Sequence, residues 1–261
     1  VSAPSPTAAA NLTEAEVERY SRQLILRGVG AAGQRRLARA TVLVVGAGAL
    51  GSPVVSYLAA AGVGRLRIAD GDVVDLSNLS RQVVHGEADL GRPKAVSAAA
   101  AVAGLNPAVA VETLGRLEGA ALIAALDGVD LACDASDNFE TKFALNDACV
   151  AAGVPLVHAA ILELGGQLTT YVPDGPCYRC LFGAPPDPDA VPTCAEAGIL
   201  GAVAGVVGAM QATEALKLIL ELGDPLRGRL LVYDGLRCRT REVRFPRDPA
   251  CAAPHPAPAG G

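Results

Sequence analysis

Thr41-Val42-Leu43-Val44-Val45 leads without a break into Gly46-Ala47-Gly48-Ala49-Leu50-Gly51. The first run is rich in β-branched residues and reads as a buried strand. The second is a G-x-G-x-x-G turn, and Leu50 to Ala61 continues with the apolar content of a helix. A strand that hands over to a helix in this way belongs to a parallel α/β sheet. The turn also makes an anion cradle. Its glycines let the backbone approach a phosphate, and the helix behind them aims its free N–H groups and dipole at that phosphate. The motif alone is weak; its place between strand and helix is what gives it weight.

The rest of the chain alternates in the same style. Thr13 to Glu16 has the form of a capping box, which predicts a helix through Leu26. Arg65 to Ala69, Val129 to Cys133 and Pro155 to His158 read as strands. Lys94 to Ala103 and Phe139 to Ala152 read as helices. Gly166 to Val172, Arg229 to Tyr233 and Cys238 to Val243 alternate like antiparallel strands. The expected fold is α/β: a doubly wound, Rossmann-like, mostly parallel sheet extended by antiparallel strands, with a short N-terminal helical segment. Length suits one domain, placed at 13–251, and the Ala/Pro/Gly-rich ends, 1–12 and 252–261, read as flexible tails.

Composition removes several function classes. The formal charge of -5 argues against a general nucleic-acid-binding face. The most apolar stretch, Ile199 to Leu222, carries Gln211, Glu214, Lys217 and Glu221 at helical spacing, so it predicts a half-buried helix rather than a membrane span. The N-terminus lacks the pattern of a signal peptide. Seven cysteines without an export signal predict reduced thiols in a cytoplasmic protein, and the odd number favours metal ligands or a reactive thiol over a disulfide framework.

Asp70 stands at the end of the second predicted strand, where a carboxylate can accept hydrogen bonds from ribose hydroxyls; Asp72 competes for that role, and both suit a plain turn. To this point a nicotinamide dehydrogenase fits equally well. Ser77-Asn78-Leu79-Ser80-Arg81-Gln82 and Gly91-Arg92-Pro93-Lys94 separate the two readings. An Arg and a Lys there serve to offset the charge of a triphosphate and of departing pyrophosphate.

With Arg19-Tyr20-Ser21-Arg22-Gln23 near the start, these segments resemble the MoeB/ThiF family, the bacterial relatives of ubiquitin-activating enzymes, from about Leu12 to Cys251. The resemblance implies ATP-dependent adenylylation of the C-terminal Gly-Gly carboxylate of a ubiquitin-like sulfur-carrier protein. It implies that Gly46, Gly48, Ala49, Gly51 and Asp70 hold the nucleotide, with Asp72 and Ser77 beside it, and that Asn78, Arg81 and Lys94 contact its phosphates. Asp137, followed by Asn138, would bind Mg²⁺; a carboxylate plus phosphates suffices for that ion. A competing role for Asp137 is the N-cap of the helix from Phe139. Arg22 matches an arginine that reaches the ATP of another subunit, which implies a homodimer. Ala49 departs from close relatives, which often have Gly there.

Cys177-Tyr178-Arg179-Cys180 is half of a tetrahedral zinc site. The family supplies the other half as a second C-x-x-C, but here that segment offers Cys251 with Pro254 in place of the last cysteine. His255, one residue on, completes a Cys₃His set; a three-ligand site or no zinc at all are the alternatives. Cys194 matches a cysteine that is reactive in some relatives and dispensable in others. Cys133, Cys149 and Cys238 read as small core residues, and His85 and His158 as structural histidines. The chain has no segment matching a sulfurtransferase domain, so the sulfur donor is expected to be separate. The rival readings are an NAD-dependent dehydrogenase, an adenylating enzyme for a peptide C-terminus or a tRNA base, and a non-catalytic partner subunit.

Overall fold

Strands β1 (Thr41–Val45), β2 (Arg65–Ala69), β3 (Ala110–Leu114), β4 (Leu131–Asp134), β5 (Leu156–Leu162), β6 (Gly165–Tyr171), β7 (Arg229–Asp234) and β8 (Arg239–Arg244) form one sheet in the computed structural model, which describes residues 12–186 and 197–255. Their order is β3-β2-β1-β4-β5-β6-β7-β8. From β3 to β5 the pairs are parallel; β5 to β8 are antiparallel. The chain leaves β1 toward β2 and β3, then returns to the other side of β1 as β4. This reversal opens a crevice beyond the carboxyl ends of the strands, where ligands of open α/β sheets bind.

Helices α1 (Glu14–Arg19), α2 (Ser21–Leu24), α3 (Gly30–Arg39), α4 (Gly51–Ala61), α5 (Lys94–Leu105), α6 (Gly119–Ala125), α7 (Phe139–Ala152), α8 (Tyr178–Phe182) and α9 (Gly201–Leu220) complete the described elements. β1 shows why both faces of the sheet are covered. Val42 and Val44 pack with Val54 and Leu58 of α4, Val102 of α5 and Val207 of α9. Leu43 and Val45 point the other way, into a cluster with Leu122 of α6, Phe143 and Leu145 of α7, and Tyr178 of α8. Each fully buried leucine contributes about 2 kcal/mol through apolar burial.

The N-terminal helix breaks at Tyr20, whose backbone (φ -98, ψ 12) separates α1 from α2. Tyr20 is buried, and its hydroxyl accepts a hydrogen bond from Asn106 Nδ2 at 3.0 Å, so the ring's entry into the core interrupts the expected continuous helix. Gly62 closes α4 at φ 84, where a Cβ would lie 2.6 Å from the Tyr20 ring.

α9 has the length and apolarity of a membrane span, yet it packs inside the fold on α4, β5 and β6. A Cβ on its Gly208 would lie 2.3 Å from Pro53 of α4. The helix is half-buried, as its polar spacing predicts, with Gln211 and Glu214 on the buried side. They are accommodated because they are bonded: Gln211 Nε2 donates to Asp134 O at 2.7 Å and Val157 O at 2.9 Å, and Glu214 accepts from Thr170 Oγ1 at 3.0 Å and Leu226 N at 2.8 Å.

Two further expectations change. Cys238 is exposed at φ 50 in the β7–β8 turn, not in a core. Ala253, assigned from sequence to the C-terminal tail, is buried against Val150 and Cys177, so the chain is packed at least to that point. Residues 1–11 and 256–261 lie outside the described residues, and so does Cys194.

Candidate active site

The glycine turn is built for close approach. Gly46 has φ 99, and a Cβ there would lie 2.5 Å from Ala135 O; on Gly51 it would lie 2.0 Å from Gly46 O. Asp70 pins the turn from β2: one carboxylate oxygen accepts from Ala47 N at 2.8 Å and the other from Asp72 N at 2.8 Å. Each oxygen keeps a further lone pair for a ligand hydroxyl. Buried His85 props the turn from behind, donating from Nε2 to Ala47 O at 2.9 Å and accepting at Nδ1 from Ser97 Oγ at 2.8 Å. The carbonyl partner assigns that tautomer.

A cavity of about 1130 Å³ opens over this turn. Gly46, Gly48, Ala49, Asp70 and Asp72 line one side of it. Arg81, Lys94 and Arg116 bring positive charge, and Asp137 and Asn138 stand at the end of β4. Lys94 is only 7% exposed and pairs with Asp72 at 3.0 Å, while Arg116 approaches the same carboxylate at 3.7 Å. Arg81 donates to Ser77 O at 2.9 Å.

Other site candidates lie outside the lining. Gly51 starts α4 behind the turn. Ser77 and Asn78 form a short 3₁₀ turn in which Asp75 accepts from Ser77 N at 2.8 Å and Asn78 Oδ1 accepts from Asp75 N at 3.1 Å. Arg22 is exposed on α2 and also stands apart from the cavity.

Asn138 is the N-cap of α7, accepting from Thr141 N at 2.8 Å. Asp137, the competing cap, is exposed and touches only Asn138 Nδ2 at 3.4 Å, so its carboxylate is left for a ligand. A buried network shapes the loop that carries it. Asp134 accepts from Ser136 N at 3.0 Å, Ser136 Oγ at 2.6 Å and His158 Nδ1 at 2.7 Å. Lys142 Nζ lies 3.4 Å from the same carboxylate and donates to Ser136 O at 2.6 Å. Burial alone would raise the Asp134 pKa, but Lys142 and His158 hold it well below the carboxylate range. Burial pushes His158 down, so its ring stays neutral with the Nδ1 proton on Asp134's side. Its Nε2, which is buried, has no partner in the described structure, and the ring borders the cavity.

A second constellation lies apart, at the loop before α8. Cys177 Sγ is 3.7 Å from Cys251 Sγ and 3.8 Å from Cys180 Sγ, and Cys180 Sγ is 3.6 Å from His255 Nε2. All four donor atoms lie within 4.8 Å of one another. Tetrahedral zinc with Zn–S near 2.3 Å and Zn–N near 2.0 Å has S···S edges of about 3.8 Å and S···N edges of about 3.5 Å. The Cys₃His set fits that ion. Burial pushes the Cys177 thiol up to about 12, so binding of a cation here expels its proton.

The ThiF family profile matches residues 20–253. The chain belongs to the ThiF family. It is 52% identical over 242 residues to the SAMP-activating enzyme E1 of Haloferax volcanii, covering 92% of this chain and 90% of that one. It is 49% identical over 246 residues to the sulfur carrier protein adenylyltransferase of Thermus thermophilus, covering 92% and 91%. Against adenylyltransferase and sulfurtransferase MOCS3 of Mus musculus it is 52% identical over 94% of this chain, but spans only 54% of that longer protein. Among solved structures, Escherichia coli MccB with ATP superposes with a TM-score of 0.73 at 23% identity, over 90% of this chain and 74% of that one, a likeness of fold.

Sequence reasoning passed over Lys142 and Arg116 of this candidate site. His158, read as a structural histidine, is buried and bonded to Asp134. The spacing of Asp134, Lys142 and His158 carries no motif; β4–β5 pairing, which sets Asp134 opposite His158, brings them together. Gln82 was legible only as a neighbour of Arg81, yet its buried Oε1 lacks a partner and its side chain borders the cavity.

Proposed function

We propose that this chain uses ATP to adenylylate the C-terminal Gly-Gly carboxylate of a ubiquitin-like sulfur-carrier protein, preparing it for thiocarboxylate formation. One observation carries the reading: a single cavity joins the glycine turn and Asp70 to Lys94, Arg81 and the uncapped carboxylate of Asp137. Close likeness to a sulfur carrier protein adenylyltransferase supports it over nearly the whole chain.

The attacking group is already ionised at neutral pH, so no protein base is required. Its oxygen bonds to the α-phosphorus of ATP as the bond to the bridging oxygen breaks, and pyrophosphate leaves with that oxygen. Asp70 and the turn hold the nucleoside end, while Lys94 and Arg81 offset the charge that grows on the leaving group. Asp137 would hold Mg²⁺, which supplies further charge neutralisation on the phosphates. The Cys₃His cluster would hold zinc in a structural role, tying the C-terminal segment to α7 and α8. Arg22 would reach the nucleotide only from a second copy, so the working form is a homodimer.

Residues 13–251 form one adenylation domain in this reading, extended at its C-terminus by the zinc ligand His255. In this reading the enzyme is cytoplasmic, where its thiols stay reduced. The test is carrier-dependent exchange of labelled pyrophosphate into ATP. Exchange that appears only with a Gly-Gly-ended β-grasp protein supports the reading; binding of NAD but not ATP refutes it.

A further inference from the structure

The antiparallel end of the sheet carries a charge pattern that the nucleotide site does not use. β8 is an edge strand exposed at every residue. In the strand register Ala160 stands opposite Gln167, Gln167 opposite Val232, and Val232 opposite Arg241. The neighbouring row runs Leu162, Gly165, Asp234, Arg239. Residues directly opposite one another share a face, so each row is continuous across four strands. Their inner members, Ala160, Gln167, Val232, Leu162 and Gly165, border the cavity. Both rows therefore lead from the cavity to the sheet edge and end in a guanidinium group.

Neighbouring arginines are held by the protein itself. Arg237 is tied to Asp234 at 3.0 Å, and Arg229 to Asp224 at 2.8 Å and Glu242 at 3.0 Å. Among the described residues Arg239 and Arg241 have no carboxylate partner. Exposed Val243 follows on the same face of β8. Guarding a sheet edge against aggregation explains positive charge there, but not its place at the end of both rows that start in the cavity. In a chain with 27 acidic and 22 basic residues, two such cations, one strand beyond the β7 residues that line the cavity, form a local field opposite to the whole.

We infer that Arg239 and Arg241 read an acidic surface on the globular body of the carrier. The inference rests on the carrier-adenylylating reading and names the chemistry by which that carrier is chosen. The spacing suits it. Three inter-strand steps of about 4.8 Å separate β5 from β8, roughly 14 Å, which an extended tail of about four residues spans. A body seated over β7 and β8 thus delivers its terminal glycines to the cavity. The arginines at the rim raise the rate of encounter and disfavour basic or neutral bodies.

The test is the double variant Arg239→Glu/Arg241→Glu, compared with Arg239→Lys/Arg241→Lys. Reversal keeps the edge charged, so its guarding role survives. The probes are a strongly acidic β-grasp protein ending in Gly-Gly and an uncharged peptide with the same ending. Pyrophosphate exchange gives KM and kcat for each, and calorimetry gives binding without turnover. With the acidic protein at low salt, reversal raises KM at least about tenfold and leaves kcat within about twofold, as expected for rim charges. The lysine pair stays near wild type, and the peptide's KM does not move. Added salt weakens the wild type and leaves the reversed protein flat. An unchanged KM for the acidic protein overturns the inference. So does loss of RNA binding in the reversed variant with carrier KM intact, which assigns the patch to nucleic acid. A wild type that exchanges with no probe refutes adenylylation instead. In that case reversal-sensitive calorimetric binding of the acidic protein still upholds the patch, and absence of binding overturns it too.

Discussion

Lys142 Nζ stands 3.4 Å from the Asp134 carboxylate, with both side chains buried, and donates to the Ser136 carbonyl oxygen at 2.6 Å. One ammonium group thus neutralises a buried charge and fixes the loop that presents Asp137. Removing it strands the carboxylate, a loss of about 3–5 kcal/mol. Lys142→Met is expected to lower stability by that amount in urea unfolding and to raise the Mg²⁺ concentration needed for pyrophosphate exchange. Adding Asp134→Asn should restore part of the stability, because the uncompensated charge goes with it. Full stability in the single variant would show that the pair is not coupled.

The same network sets a pH dependence. His158 and His85 are both buried, and burial pushes each below the usual histidine value. The unfolded chain therefore takes up their protons first, and stability is complete above about pH 6.5 and falls below it. Asp134 is held below the usual carboxylate range, so its contribution is present above about pH 3.9 and is lost only as pH falls further toward its folded value. Each histidine gives a slope of up to about 1.4 kcal/mol per pH unit. His158→Asn keeps an N–H donor for Asp134 while removing the titration. Urea midpoints measured between pH 7 and 5 should fall less steeply in that variant than in the wild type, with His85 supplying slope that remains.

Much of this was legible because periodicity is local. β1, β2 and α7 lie where the sequence reading put them, since β-branched runs and a cap-to-glycine span announce themselves. β3 was not found. Its burial alternates weakly at the sheet edge, and Glu112 sits at its centre, so no apolar signal survives. α6 is a short run dominated by alanine, and α8 is only five residues long. Gln211 and Glu214 marked a half-buried helix correctly, but their own burial was not legible: a polar residue on a helix says nothing about burial until the carbonyls or hydroxyls it serves are known. The zinc cluster was half legible. The Cys177–Cys180 spacing is local, whereas His255 enters only because the chain returns to α8 from 75 residues away.

That cluster predicts one zinc per chain. Cys251→Ser should abolish it and loosen Ala253 from Val150, seen as a lower Tm and faster amide exchange in α7. His255→Ala leaves three thiolates, and a three-sulfur site with water holds zinc more weakly than a closed one. Competition with a chromophoric chelator should show at least about a tenfold loss of affinity, the scale on which even supporting residues act. Equal retention of zinc by the two proteins would remove His255 from the ligand set.

Asp137 and Asn138 are neighbours with separable duties, and the pair gives the sharpest comparison. Asn138 caps α7 through Thr141 N, so Asn138→Ala is expected to cost about 1 kcal/mol of stability. Asp137 caps nothing and is exposed, so Asp137→Ala should unfold at nearly the wild-type urea concentration. Exchange activity should run in the opposite sense. Asp137→Ala removes the one carboxylate at the end of β4 left open to Mg²⁺ and should lose exchange by at least about a hundredfold, the scale seen when a charge stabiliser is removed. Asn138→Ala keeps that oxygen ligand and should retain most of its activity below its unfolding temperature. Unchanged exchange in a folded Asp137→Ala protein would sink the metal role, because the network of Asp134, Lys142 and Ser136 shapes its loop in either case.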